Sequence, residues 1–326
     1  KTGQPPHIIK AGHDAKIPGL RILGNTTPTG QAKDIMQNIH DLASMRRKPT
    51  RQKVSELQEK TPGGISIDWH GPYSIPTIGG NVYSLEAFDS CTGYMWINLT
   101  SDRDGPEVVR LVNRIHSDLN AIPLKTRFIK FDCAKEFGWG TQGSRLVNTW
   151  FDEHGVQKKY TQPYHKNHFE IERYHQVITT TALMFMIHGG APEFLWGLSR
   201  LMAIHAYNSC PQIRASKYMG RTCSPYSALT GRPMDASDLH VPFCYAVIFN
   251  DHAKHLTNQR RKGIAAILVG SLHPYTRAWL FLVPGEKVLR TSRDVSWYDH
   301  ICPFMDGSAA VIDGVIIWRA PLVRFL

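Results

Sequence analysis

From Gly63 onward, apolar and polar positions alternate over short runs, and each run closes on a turn signal. GISIDWHGP sets Ile65 and Ile67 two residues apart and ends in Asp68 and a Gly-Pro turn, which predicts a short strand. NVYSLEAFD and YMWINLT predict two more strands, joined through Ser90 and Gly93. The period then changes. In DGPEVVRLVNRIHSDLNAI, Val108, Val109, Leu111, Val112 and Ile115 recur at helical spacing, and Pro106 suits a first turn. TRFIKFD is a fourth strand, again ending in aspartate. SRLVNTWFDEHG is a helix closed by glycine, and VQKKY a fifth strand. A long helix begins near His168 and a second covers PEFLWGLSRLMAIHAYNSC. Three strands, helix, strand, helix, strand, helices is the order of a mixed α/β unit with a partly antiparallel sheet.

Outside this unit the texture differs. Residues 1–61 are polar and basic, with the run RRKPTRQK, and carry no strong strand signal. Residues 62–215 hold the mixed unit. SPYSALTGRPMDASDLHVP (224–242) is rich in turn residues and reads as a connector, and the connector segment is set at 216–240. The runs CYAVIF, AAILVGSL, AWLFLVPGE and KVLRTSRDVSWY predict short strands of a small β-barrel over 241–303. The tail, 304–326, ends apolar and has no assigned place.

Composition narrows the class. The 326 residues are 42% hydrophobic and 20% charged, enough for a sizeable core. No apolar run approaches the roughly 18 residues of a membrane span, so no membrane partner is expected. The N-terminus has neither an initiating Met nor an apolar leader, so the chain reads as a fragment or processed product. A net charge of +11 points to a polyanionic partner, nucleic acid first. The six cysteines form no C-x-x-C pair, and they read as reduced thiols of an intracellular protein.

Two predicted strands end in aspartate, Asp68 and Asp132. Taken singly, each is an ordinary turn residue. Together at a sheet edge, with a third carboxylate from a helix, they could hold divalent ions for in-line phosphoryl chemistry. HKNHFEIERYHQVI offers two acids for that third place. On a helical wheel, Ile171, Tyr174, Ile178, Ala182 and Phe185 form the apolar stripe. Glu172 shares a polar side with His175, Gln176 and Thr179, whereas Glu170 lies at the stripe's edge, so Glu172 is the better candidate. Glu136 reads as an exposed loop acid and Asp89 as a structural one. Trp69 and Trp139 read as packing residues.

The order of these motifs resembles the integrase of copia-type LTR retrotransposons, relatives of retroviral integrases. IDWHGPY, DCAKEF, HGVQKKYTQPY and ERYHQVI are similar to the family's successive catalytic blocks. FLWGLSRLMAIHAYNSCP, SPYSALTGRP and DLHVPFCYAV resemble its downstream helix and connector, and RRKGIAAILVG with TSRDVSWYD resembles its C-terminal small barrel. The match runs from about residue 62 to 300. The resemblance implies a ribonuclease-H-like mixed sheet flanked by helices, followed by a small SH3-like β-barrel. It implies Asp68, Asp132 and Glu172 as catalytic and metal-binding residues, with two Mg²⁺ or Mn²⁺ ions. It also implies trimming and joining of element cDNA ends to double-stranded target DNA by a homo-oligomer, in the nucleus when acting and in a cytoplasmic virus-like particle before that. Lys158, Lys159, Lys166, Arg173 and His175 flank that site, and Arg260, Arg261 and Lys262 form a second basic patch; all are candidates for phosphate contacts.

The chain also departs from the family. His168-Phe169 stands where Asn-Gly is usual, and the N-terminal region lacks the cysteines of a zinc module, leaving His7, His13 and His40. Zinc is therefore not expected. Two rival readings stay open: a decayed or domesticated copy that binds DNA without chemistry, and a ribonuclease-H-type nuclease.

Overall fold

The computed structural model describes residues 61–140, 143–161, 171–235, 237, 239–250, 262–272, 277–286, 288–312 and 315–319. Its first unit is a five-stranded mixed sheet of β1 (Gly64–His70), β2 (Tyr83–Asp89), β3 (Met95–Thr100), β4 (Phe128–Phe131) and β5 (Gln157–Tyr160), in the order β3-β2-β1-β4-β5. β2 runs antiparallel to β1 and β3, while β4 is parallel to both β1 and β5. Helix α1 (Gly105–Asn120) crosses from β3 to β4, and α2 (Arg145–His154) crosses from β4 to β5.

The alternation in β1 divides its residues between the two faces of the sheet. Ile65, Ile67 and Trp69 join one buried cluster with Val108, Leu111, Val112 and Ile115 of α1 and Val147, Trp150 and Phe151 of α2. On the other face, Phe88, Met95 and Ile97 pack against α3 (Ile171–Gly189) and α4 (Trp196–Ser209).

Local signals set the ends of these elements. Asp104 caps α1 by accepting from the Glu107 N–H at 3.1 Å. Gly155 closes α2 at φ 61°, a left-handed conformation that suits glycine. Gly63, at φ 95°, is more tightly constrained: a Cβ there would lie 2.2 Å from the Lys125 carbonyl oxygen.

Three expectations are corrected. The connector is not all turn: it begins inside α5 (Ile213–Met219) and holds the short helix α6 (Pro225–Thr230). Its Ser-Pro and Gly residues are the caps of α6: Ser224 accepts from Ser227, and Gly231 ends the helix at φ 70°. KVLRTSRDVSWY is two strands, β9 (Arg290–Ser292) and β10 (Val295–Tyr298), split where the Ser292 hydroxyl donates to the Asp294 carbonyl.

Third, the expected barrel is not closed. β6 (Tyr245–Phe249), β7 (Gly263–Ser271) and β8 (Trp279–Leu282) form an antiparallel sheet with β9 and β10, in the order β10-β6-β7-β8-β9. Among the described residues no pairing joins β9 to β10, although only two residues separate them. A link that short draws opposite edges together at one corner, so the sheet is curled but open. One buried apolar cluster continues from Ile178 and Phe185 through Met202 and Ala203 to Phe243, just before β6, and to Ala246 and Ile267 of this second sheet. The unassigned tail contains a hairpin, β11 (Ala309–Ile312) with β12 (Val315–Trp318). No helix among the described residues is long and apolar enough to cross a membrane.

Candidate active site

Asp68 lies within β1 on the face turned to α3, directly opposite Glu86 of β2. β1 and β4 pair in parallel from Gly64–Phe128 to Ser66–Lys130, and the same register carried two residues further sets Asp68 beside Asp132. Two carboxylates far apart in the chain thus become neighbours at one end of the sheet. Asp68 Oδ1 accepts from the Trp69 N–H at 2.8 Å. Asp132 Oδ1 is buried and, among the described residues, has no hydrogen-bond partner.

The electrostatics reflect that crowding. Burial, and then the negative charge of Asp132, push the Asp68 carboxyl up to about 7, and Glu172 adds to the push. Burial also raises Asp132; Arg103 opposes this and Glu136 reinforces it. Arg103, just after β3, is ion-paired with Glu136 and is the cation that tempers both aspartates. Glu136 is therefore not the exposed loop acid expected: its side chain is 12% exposed.

Glu172 occupies the first turn of α3 and is exposed. One turn on, His175 is 6% exposed, which corrects its placement on a polar, DNA-facing side. The helix turns this residue inward onto the acidic end of the sheet. Its Nδ1 lies 3.9 Å from Asp68 Oδ2 and its Nε2 lies 3.6 Å from Glu86 Oε2. Burial lowers its basicity, with Glu86 pulling the other way. Glu170, Lys166, His168 and Phe169 lie outside the described residues, as do Arg260, Arg261 and all of 1–60 with His7, His13 and His40.

Asp68 and Asp132 fit a hard cation in donor chemistry: both are oxygen donors, one has an orphaned buried oxygen, and their mutual repulsion is what a cation would relieve. Glu172 is not drawn into the same group. Among the described residues, no three His, Cys, Asp or Glu side chains converge as a metal site.

Behind Asp68 is a buried polar network that sequence reasoning missed. Glu86, fully buried, accepts from Arg200 Nε at 2.9 Å, from a second Arg200 nitrogen, and from the Ser84 hydroxyl at 2.9 Å, all on Oε1. Arg200 also donates to Thr179 Oγ1 at 2.8 Å. His70 Nδ1 is 2.8 Å from the Tyr73 hydroxyl, and Tyr73 stacks on Trp196 with ring centres 3.7 Å apart. The available signal was a lone charge inside an apolar pattern, Glu86 in YSLEAFD and Arg200 in WGLSRLMAIHAY.

The basic candidates separate by environment. Lys158 donates to Asn148 Oδ1 at 2.5 Å and lies over the Phe151 ring, and Lys159 lies over the Phe128 ring at 3.5 Å. Arg173 and Lys262 are exposed. Trp69 packs on Phe137, whereas Trp139 is 44% exposed against Tyr160. Asp89 is structural: its buried carboxylate accepts from the Gly63, Cys91 and Thr92 N–H groups and from the Thr92 hydroxyl.

No protein-family model matches the chain. It is 22% identical, over 307 residues, to the Retrovirus-related Pol polyprotein from transposon TNT 1-94 of Nicotiana tabacum. The alignment covers 91% of this chain and 22% of that polyprotein, so the chain spans about a fifth of its relative's length. The comparison gives a distant relation, over nearly the full length of this chain, to a retrotransposon Pol polyprotein.

Proposed function

We propose that this chain is the integrase segment of a retrotransposon polyprotein, with a ribonuclease-H-like core that cuts and joins DNA. The carrying observation is the pair Asp68 and Asp132, brought side by side just past the paired stretch of β1 and β4, with Asp68 pushed to about 7 by burial and by Asp132. The order β3-β2-β1-β4-β5, with β2 alone reversed, supports the core assignment.

Two bound Mg²⁺ or Mn²⁺ ions would supply charge neutralisation at the phosphodiester and activation of the attacking oxygen. In this reading Asp68 and Asp132 hold them, and Glu172 completes the set when DNA is engaged. A water, and then a DNA 3′-hydroxyl, attacks phosphorus in line, and the displaced 3′-oxygen leaves, so no covalent enzyme intermediate forms. Arg103, between the acids and Glu136, limits repulsion within the cluster. The net charge of +11, with Arg173 and Lys262 exposed, suits a double-stranded DNA partner. The homo-oligomer and the nuclear site of action belong to the same reading.

The test is a strand-transfer assay of the 326-residue chain with Mg²⁺ or Mn²⁺ and a short duplex. Product should form, vanish in Glu172→Gln, and survive in Glu170→Gln. The reverse pattern would move the third ligand to Glu170. A second reading, a DNA-binding copy without chemistry, is favoured by the exposure of Glu172 and by the lack, among the described residues, of a converged three-residue metal group. Salt-sensitive DNA binding with no product from the wild type would select it.

A further inference from the structure

The imidazole of His175 is wedged between two carboxylates that face each other across the β1–β2 pairing, Asp68 and Glu86. On the Glu86 side, the donors that Arg200 and Ser84 direct at the carboxylate all fall on Oε1, so that among the described residues Oε2 is buried without a hydrogen bond. That oxygen faces His175 Nε2, which is likewise buried without a hydrogen bond among the described residues. Buried polar atoms left unpaired are uncommon in native proteins. Two of them facing each other at 3.6 Å lie within a small shift of a bond. Arg200 also binds Thr179, one turn beyond His175 on α3, so the same guanidinium anchors both Glu86 and the helix that carries the histidine. The result is a brace running from α4 through β2 and α3 to the back of Asp68, away from its Asp132 side.

We propose that His175 is a positioning residue: braced by Glu86 and Arg200, its ring sets the orientation in which the Asp68 carboxylate is presented beside Asp132. This rests on the reading of Asp68 and Asp132 as cation-holding acids. His175 need touch neither DNA nor ion; it acts through Asp68. Partners of this kind, one step behind a ligand, change metal affinity by about ten- to a hundred-fold when removed.

The test is Mn²⁺ binding alone, read from the loss of the free-ion electron paramagnetic resonance signal as the ion is titrated into the 326-residue chain. His175→Leu fills the volume without a polar atom, His175→Gln keeps a polar head, and Asp68→Asn removes the acid. Urea unfolding of each variant checks the fold. The proposal expects Leu to keep or raise stability yet weaken Mn²⁺ binding at least about ten-fold, and Gln to restore most of the affinity. A purely structural histidine would not separate the two readouts. If Asp68→Asn abolishes binding but both His175 variants bind within about two-fold of wild type, against the larger loss expected of such a partner, the positioning role is wrong and the acid reading stands. If Asp68→Asn binds Mn²⁺ like wild type, the acid reading fails and the positioning role falls with it.

Discussion

Asp68 and Glu86 are directly paired across β1 and β2, yet their carboxyls are driven in opposite directions. Burial alone would raise both. At Glu86 burial is the largest single influence, but Arg200, His175 and His70 together outweigh it and hold the group below its usual value. At Asp68 the neighbouring charge is Asp132, so burial and repulsion act together. A buried guanidinium is bonded directly to one acid, whereas at the other Arg103 only partly offsets burial and Asp132. That asymmetry makes Asp68 the chemically available member of the pair.

Asp68 should make the metal-free protein less stable as pH rises. Its folded value of about 7 lies above the ordinary 3.8, so the folded state keeps a proton that the unfolded state releases. Stability should fall between about pH 4 and pH 7 and stay low above, by a ceiling of roughly 4 kcal/mol. Asp68→Asn should therefore raise the midpoint of thermal unfolding at about pH 8 and leave it nearly unchanged at about pH 4. Millimolar Mg²⁺ at the higher pH should stabilise the wild type more than the variant.

The Glu86–Arg200 pair should respond unequally to single and double replacement. Glu86→Met or Arg200→Met alone leaves a buried charge without its partner and should cost about 3–5 kcal/mol. The double variant removes both charges and should recover most of that loss. Urea unfolding of the three variants measures it; additive losses would argue against the pair acting as a unit.

Arg103 lowers both aspartates, so Arg103→Met should move their titration to higher pH. The carboxyl carbon shifts of Asp68 and Asp132 in aspartate-labelled protein report it by nuclear magnetic resonance. Unchanged midpoints would mean that the guanidinium does not act on the acids in solution.

Asp89 provides the contrast to Asp68. Both are strand residues in apolar–polar alternation, but Asp89 receives four hydrogen bonds and closes the turn that brings Gly63 against β2. Asp89→Ala should cost on the order of 3–5 kcal/mol in urea unfolding, because buried N–H donors lose their acceptor. Under the proposed function, strand transfer per folded molecule should be unaffected.

Much of this architecture comes from short-range chemistry. The alternation in GISIDWH and YSLEAFD, the helical spacing from Val108 to Ile115, the Asp104 cap and the Gly155 stop place the elements of the first unit close to where they fold. These signals act over a few residues and survive without knowledge of neighbours. They also put Asp68 and Asp132 at or near strand ends. Only the tertiary structure decided what those acids meet. The β1–β4 pairing sets them side by side, α3 turns His175 inward, and α4 delivers Arg200 to Glu86. The same holds for the second sheet, where local runs predicted strands but the edge partners of β9 and β10 left it open. Burial and pairing depend on contacts between residues distant in the chain, and a helical wheel assigns a side to His175 without saying what fills the space opposite. The charge inside an apolar run, at Glu86 and at Arg200, was visible locally; that each is the other's partner is a property of the fold.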